Sequence, residues 1–93
     1  MITFADLKFE HDEMGENAHH IFDNHYGVSV VRNLYSHGGR QGLYELAVLY
    51  MAPDDEYSKL VYDTPVTNDV EGRLTPDDVT RLMEQVSQLP PRN

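Results

Sequence analysis

Five histidines, His11, His19, His20, His25 and His37, all fall in the first 40 residues. Glu10, Asp12, Glu13, Glu16 and Asp23 stand among them. Neutral imidazoles with carboxylates form a donor set for zinc or a similar ion. The spacing argues against such a site. His19 and His20 are adjacent, so on a strand they point to opposite faces and cannot both ligate one ion. No His-Glu-Xaa-Xaa-His or equivalent spacing occurs. These residues read as polar histidines of loops and edge strands, and neither a metal nor a cofactor is expected. An enzyme dependent on a metal or on carboxylates, using this His-rich third, stays as an alternative.

The stretch Ser36 to Gly42 (SHGGRQG) is Gly-rich and carries a His and an Arg. A phosphate-cradling loop needs its glycines to open a helix, with a Lys and a hydroxyl behind them. Here an apolar strand follows, so the stretch reads as a mobile hairpin loop, with protein contact as the functional use it best suits. Acidic clusters occur at Asp12-Glu13, Asp54-Asp55-Glu56 and Asp77-Asp78. The spacing of Asp63, Asp69 and Glu71 does not fit a calcium loop, whose ligands alternate and end in a Glu. No carboxylate pair stands out, and no Ser-His-Asp grouping is identifiable. No catalytic residue is assigned. The tyrosines concentrate in the sheet, where strand spacing reads first as core or half-buried. Yet tyrosine is favoured at interfaces, and Tyr35, Tyr44 and Tyr50 would make a contact surface if partly exposed. The candidate partner-binding residues are therefore Asp54, Asp55, Glu56, Tyr35, His37, Arg40, Tyr44 and Tyr50.

Composition narrows the partners. The chain has 93 residues, enough for a single domain. Its core must be thin, so one helix on one sheet is the expected economy. It has no cysteine, which excludes disulfides, thiol catalysis and thiolate metal sites. Sixteen Asp and Glu face seven Lys and Arg, a formal charge of −9 at pH 7. Such a surface repels phosphate backbones and anionic lipid, so neither direct nucleic-acid binding nor membrane binding is expected. The charge also favours solubility by itself. It allows a basic protein partner, or competition with nucleic acid for a basic groove; a homodimer is the remaining association considered. No apolar run approaches the roughly 20 residues of a membrane span. MITFADLKFEHDE lacks a basic segment ahead of an apolar one, so a cytoplasmic location is expected.

The elements are organised around the apolar hairpin from Tyr26 to Met51. Two runs rich in Val, Leu and Tyr flank the Gly-rich break, the composition of paired antiparallel strands. Tyr26, Val28 and Val30 share one face of the first run. In the second, Tyr44, Leu46, Val48 and Tyr50 share one face, and Leu43, Glu45, Ala47 and Leu49 the other. Apolar groups on both faces mark this strand as central, with Glu45 reaching solvent or pairing with Arg32. Ile2 to Phe9 alternates loosely and predicts a first strand, with Phe4 and Phe9 in the core. Residues 11–17 read as a polar loop, 18–22 as a short strand, and Asp23-Asn24-His25 as a turn. Ala52 to Glu56 reads as a turn. Tyr57 to Asp63 reads as a strand ended by Thr64-Pro65. Residues 66–74 read as an ordered loop anchored by Val66, Val70 and Leu74.

Thr75-Pro76-Asp77-Asp78 predicts a helix start, with Thr75 as N-cap, Pro76 at the first helical position and two carboxylates at the positive end of the dipole. Val79, Leu82, Met83, Val86 and Leu89 follow as one apolar stripe. Pro90-Pro91 stops a helix of about 13 residues, which needs the sheet for stability.

YGVSVVRNLYSHGGRQGLYELAVLY, followed by YDTPVTNDVEGRLTPDDV, resembles a family of short uncharacterised proteins of tailed bacteriophages. The shared features are a Gly-Xaa-Ser-Val-Val-Arg strand at Gly27 to Arg32, a Tyr-Xaa-Xaa-Gly-Gly loop at Tyr35 to Gly39, Gly-Leu-Tyr-Glu-Leu-Ala-Val at Gly42 to Val48, and Tyr-Asp-Thr-Pro at Tyr62 to Pro65. The similarity runs from about Tyr26 to Val86 and includes Met1 to Phe9. His25 stands where the family pattern calls for a small turn residue, and residues 11–20 depart from it. The resemblance implies a phage or prophage origin and no particular activity.

The expected architecture is α+β: an antiparallel sheet of four to five strands with one C-terminal helix packed on one face. The expected function is that of a small acidic phage accessory protein that binds and modulates a host or defence protein in the bacterial cytoplasm, without catalysis. The alternatives are an acidic mimic competing for a nucleic-acid groove, and the enzyme named above.

Overall fold

Strand alternation in the central hairpin sets the core. In the computed structural model, which describes residues 2–66 and 70–92, that hairpin is β3 (Tyr26–Asn33) and β4 (Tyr44–Tyr50). They pair antiparallel from Tyr26↔Tyr50 to Val31↔Glu45. Val28, Val30, Leu46 and Val48 fall on one face and are buried. The helix α1 (Pro76–Ser87) lays Val79, Leu82, Met83 and Val86 on that face. Leu7, Leu74 and Leu89 close the margins of the same cluster.

Four short or medium strands complete the sheet: β1 (Glu10–Asp12), β2 (Gly15–Ile21), β5 (Lys59–Leu60) and β6 (Glu71–Leu74). The order is β1-β2-β3-β4-β5, with β6 also on β4, and every pairing is antiparallel. The fold is thus the expected α+β arrangement. Among the described residues the sheet has six strands, just beyond the upper end of the expected four to five, because two short strands, β1 and β6, form where no alternating pattern marks them.

The helix begins as its sequence predicts. Thr75 Oγ1 accepts the Asp78 N–H at 3.2 Å, and Asp78 Oδ2 accepts the Thr75 N–H at 3.0 Å. Its far end is held by a residue with no helical role. Asn24 Nδ2, in the β2–β3 turn, donates to the carbonyls of Val86 and Leu89, each at 2.9 Å. Carbonyls at a helix end lack their full set of helical donors. The Val86 carbonyl accepts the Leu89 N–H at 3.2 Å, and the clamp adds a donor to it and to the Leu89 carbonyl and fixes the turn against the helix. In the same turn His25 has φ +70°, a conformation that favours glycine.

Several local expectations are corrected. Residues 2–9 do not form a strand. Phe4–Asp6 is a single 3-10 turn, closed by Asp6 Oδ2 accepting the Thr3 N–H at 2.8 Å. The Phe4 N–H then donates to Thr80 Oγ1 at 2.9 Å, so the segment docks on α1 instead of extending the sheet. Phe4 and Phe9 do pack against the core, as expected. Residues 11–17 are not a loop. Asp12 Oδ1 accepts the N–H groups of Met14 and Gly15, which makes a tight turn between β1 and β2. Gly15 is required there: a Cβ would lie 2.2 Å from the Arg32 carbonyl oxygen. The Tyr57–Asp63 strand shrinks to Lys59–Leu60, and the end of the 66–74 loop is β6. Glu45 does not pair with Arg32. It stands opposite Val31, so it shares the face away from Arg32.

Candidate partner-binding site

The acidic turn follows directly from the end of β4. The Met51 N–H bonds the His25 carbonyl at 2.9 Å, which anchors the root of the loop to β3. Ala52 to Asp55 then closes as a β-turn with Pro53 second, the position its fixed φ suits. The Asp55 N–H bonds the Ala52 carbonyl at 2.9 Å, and Asp55 Oδ2 accepts the Ala52 N–H at 3.1 Å. Asp55 is therefore half-buried and holds the turn. Asp54, on the turn, and Glu56, just after it, are exposed. Tyr57, 78% exposed, stands beside them. Tyr57 was not among the sequence candidates. The signal for it was an aromatic residue directly after an acidic run; reading Tyr57 as the first residue of a strand hid it, and the strand in fact begins only at Lys59.

The Gly-rich loop is pinned rather than free. Asn33 Oδ1 accepts the N–H groups of Tyr35 and Ser36, both at 2.8 Å. Ser36 Oγ accepts the Asn33 N–H at 2.9 Å. The His37 N–H donates to Glu45 Oε2 at 2.9 Å, and the His37 carbonyl accepts the Arg73 N–H at 3.1 Å. Gly38 and Gly42 supply the positive φ values, +84° and +79°, on either side of the short turn Gly39–Gln41. Tyr35 is 76% exposed, and His37 and Arg40 are also exposed.

Tyr44 and Tyr50 face inward. The Tyr44 ring lies 4.9 Å from that of Phe4 and 5.7 Å from that of Phe9. Its hydroxyl donates to Glu16 Oε1 at 2.8 Å, and Arg32 Nε lies 3.1 Å from the same oxygen. Burial, more than the Glu16 hydrogen bond and charge, pushes the Tyr44 phenol above its ordinary value, against the opposing effect of Arg32. Tyr50 packs on Tyr26 with ring centroids 5.0 Å apart. The Arg92 guanidinium lies over both rings and pairs with Asp63.

The candidates thus separate. Asp54, Glu56 and Tyr57 lie beyond one end of β4. Tyr35, His37 and Arg40 lie beyond the other, about 20 Å away at the rise of an extended strand. Tyr44 and Tyr50 lie between, occupied by intramolecular contacts.

The histidines do not converge. Among the described residues, no group of three or more His, Cys, Asp or Glu is placed to hold a metal ion. His11 Nδ1 lies 3.4 Å from Glu16 Oε2, His20 packs edge-on against Phe22, and His37 sits in the Gly-rich loop. Asp69, part of the calcium spacing tested above, lies outside the described residues. No described helix is long and apolar enough to cross a membrane. Comparison with protein-family models, curated proteins and solved structures finds no match.

Proposed function

We propose that the protein is a small acidic accessory protein of phage origin that binds and modulates a host or defence protein, without catalysis. The observation that carries this reading is the turn after β4. Two exposed carboxylates and an exposed tyrosine stand together on and just after one hydrogen-bonded turn, on a chain of charge −9. Carboxylates at the rim steer a basic surface toward contact, and an aromatic residue at the centre slows its departure. The partner is a protein with a basic surface.

Affinity capture from infected cells supplies the partner, and association kinetics at two salt concentrations test the surface. Asp55 is left intact because it closes the turn. Asp54→Asn with Glu56→Gln should slow association much more than it speeds dissociation. Added salt should do the same, because screening shortens the reach of charge to about 10 Å at 0.1 M. Tyr57→Ala should mainly speed dissociation. An association rate indifferent to both salt and the double neutralisation overturns the reading and leaves the acidity as a solubility feature.

A further inference from the structure

β2 pairs with β3 from Gly15 to Ile21, but with β1 only at Gly15, Glu16 and Asn17. Among the described residues, no strand pairs with its outer side from Ala18 to Ile21. Antiparallel ladders turn the N–H and C=O of alternate residues to opposite sides. The Phe22 N–H bonds the Tyr26 carbonyl at 2.7 Å, so Phe22, and with it His20 and Ala18, faces β3. His19 and Ile21 therefore present their N–H and C=O groups to the open side. Unpaired groups of this kind are a template for another strand.

The edge also has walls. The N-terminal segment leaves β2 before Glu10 and docks on α1 through Phe4, which opens a furrow between the two. Two adjoining hollows of about 370 Å³ each line this furrow. Ile2 and His20 border both; Leu7 and Asp6 border one, Phe22 and Asp23 the other. The furrow is mixed in character: Ile2, Leu7, Ile21 and Phe22 give it apolar walls, while Asp6 and Lys8 line one half and Asp23 the other.

We propose that this edge takes an extended peptide segment of a partner protein as an added strand, with an apolar side chain in the furrow and a basic one on either side of it. Main-chain hydrogen bonds to His19 and Ile21 would supply affinity, and alternate side chains specificity. The charge selects this occupant over a second copy. Symmetric antiparallel pairing about His20 would bring Asp23 of each copy beside Asn17 of the other, next to Glu10 of its β1, and both chains carry −9. The edge is separate from the acidic turn after β4, and the inference stands whether or not that turn binds a partner.

The probe is the peptide acetyl-Lys-Thr-Val-Thr-Lys-amide. In register it sets Val opposite His20 and the two Thr opposite His19 and Ile21. Titration into the isotope-labelled full chain should shift the amide resonances of His19 and Ile21 and slow their exchange. N-methylation of both Thr residues keeps the charge but removes the two donors that face β2, and should weaken binding at least tenfold. His19→Pro removes one outward donor at a position where an edge strand accepts proline, and should weaken binding similarly with the amide spectrum otherwise intact. If that variant does not fold, the methylated peptide on the unaltered chain decides. Equal affinity for the methylated peptide, shifts centred on Asp54 to Tyr57, or no shift at millimolar peptide overturns the proposal. So do concentration-dependent shifts of His19 and Ile21 without peptide, which would assign the edge to a second copy.

Discussion

The two edges of the sheet are finished in opposite ways. Beyond β4, two short strands divide the edge between them: β6 takes Tyr44 and Leu46, and β5 takes Leu49 and Tyr50. The Gly-rich loop then folds onto β6, so closely that a Cβ on Gly72 would lie 2.5 Å from that of His37. Beyond β2, three residues of β1 cover one end and the ladder stops. The covered end carries a polar row across the strands: His11, Glu16, Arg32 and Tyr44. Isolated segments as short as EHD or EGRL do not hold as strands. They become strands because a longer neighbour offers its ladder, and a sheet edge closes only as far as such segments reach.

The largest perturbation tests whether the two edges share one foundation. Leu46 is buried in β4, the strand that carries β5 and β6 on one side and leads through β3 to β2 on the other. Leu46→Ala should cost about 2–5 kcal/mol, read as a lowered denaturant midpoint. Amide protection should fall together at β6 and at the paired part of β2. Loss confined to β6 would show that the edges are independently stable.

Glu16 separates them. It is nearly buried, at 10% side-chain exposure, and serves Tyr44, Arg32 and His11. Glu16→Ala strands the Tyr44 hydroxyl and should cost about 1–3 kcal/mol, toward the low end because Arg32 still reaches water. β1 should lose protection first. Adding Tyr44→Phe should recover part of the cost, since the stranded hydroxyl goes with it. A double variant no more stable than Glu16→Ala alone would mean that the row is held by Arg32.

The same contrast explains how far the sequence could be read. The β3–β4 hairpin and α1 carry their own signals, alternation in one and Thr-Pro-Asp-Asp ahead of an apolar stripe in the other, and both lie where expected. β1 and β6 carry none, because pairing rather than propensity makes them strands. Ile2 to Phe9 misleads in the other direction. Its loose alternation suggests a strand, while Thr3 and Asp6 repeat the spacing of Thr75 and Asp78, and the short-range hydrogen bond wins. At the candidate site, the exposure of Asp54, Glu56, Tyr35, His37 and Arg40 agrees with a reading of polar loops. The enclosure of Tyr44 was legible only in part: alternation puts it on one face with Leu46 and Val48, but its ring contacts depend on Phe4 and Phe9 arriving from a segment read as a strand. The clamp by Asn24 was likewise hidden, since the residues it joins are more than 60 apart in the chain.

Thr75 tests the closed edge from its helix side. It directly follows Leu74, the last residue of β6, and its hydroxyl caps α1. Thr75→Ala should lower stability by about 1 kcal/mol. Protection at β6 should fall more than at β1, because the helix start and β6 are one continuous stretch of chain. An unmoved denaturant midpoint would count against the cap.

The smallest expected effect is the charge of Asp78 in that same cap, and pH isolates it. Its carboxyl titrates below the ordinary 3.8, chiefly because it accepts the Thr75 backbone N–H, with the Thr75 hydroxyl and Arg81 assisting. A lowered folded-state value means that the ionised form is favoured by folding. The stabilisation is complete above 3.8 and is lost as pH falls through the lower, folded value. Asp78→Asn keeps an oxygen that can accept the Thr75 N–H but removes the charge at the helix N-terminus. Melting curves recorded from pH 7 to pH 2 should therefore fall less steeply on the acid side for Asp78→Asn than for the unaltered chain. Asp63 also titrates low, through its hydrogen bond to Arg92, so Asp63→Asn serves as the comparison at the β5 side of the sheet. Both single variants should flatten the acid limb, and the pair should do so additively, because the two carboxylates share no partner. If Asp78→Asn follows the unaltered curve throughout, the carboxylate acts only as a neutral hydrogen-bond acceptor, and the closing of the β6 edge owes nothing to its charge.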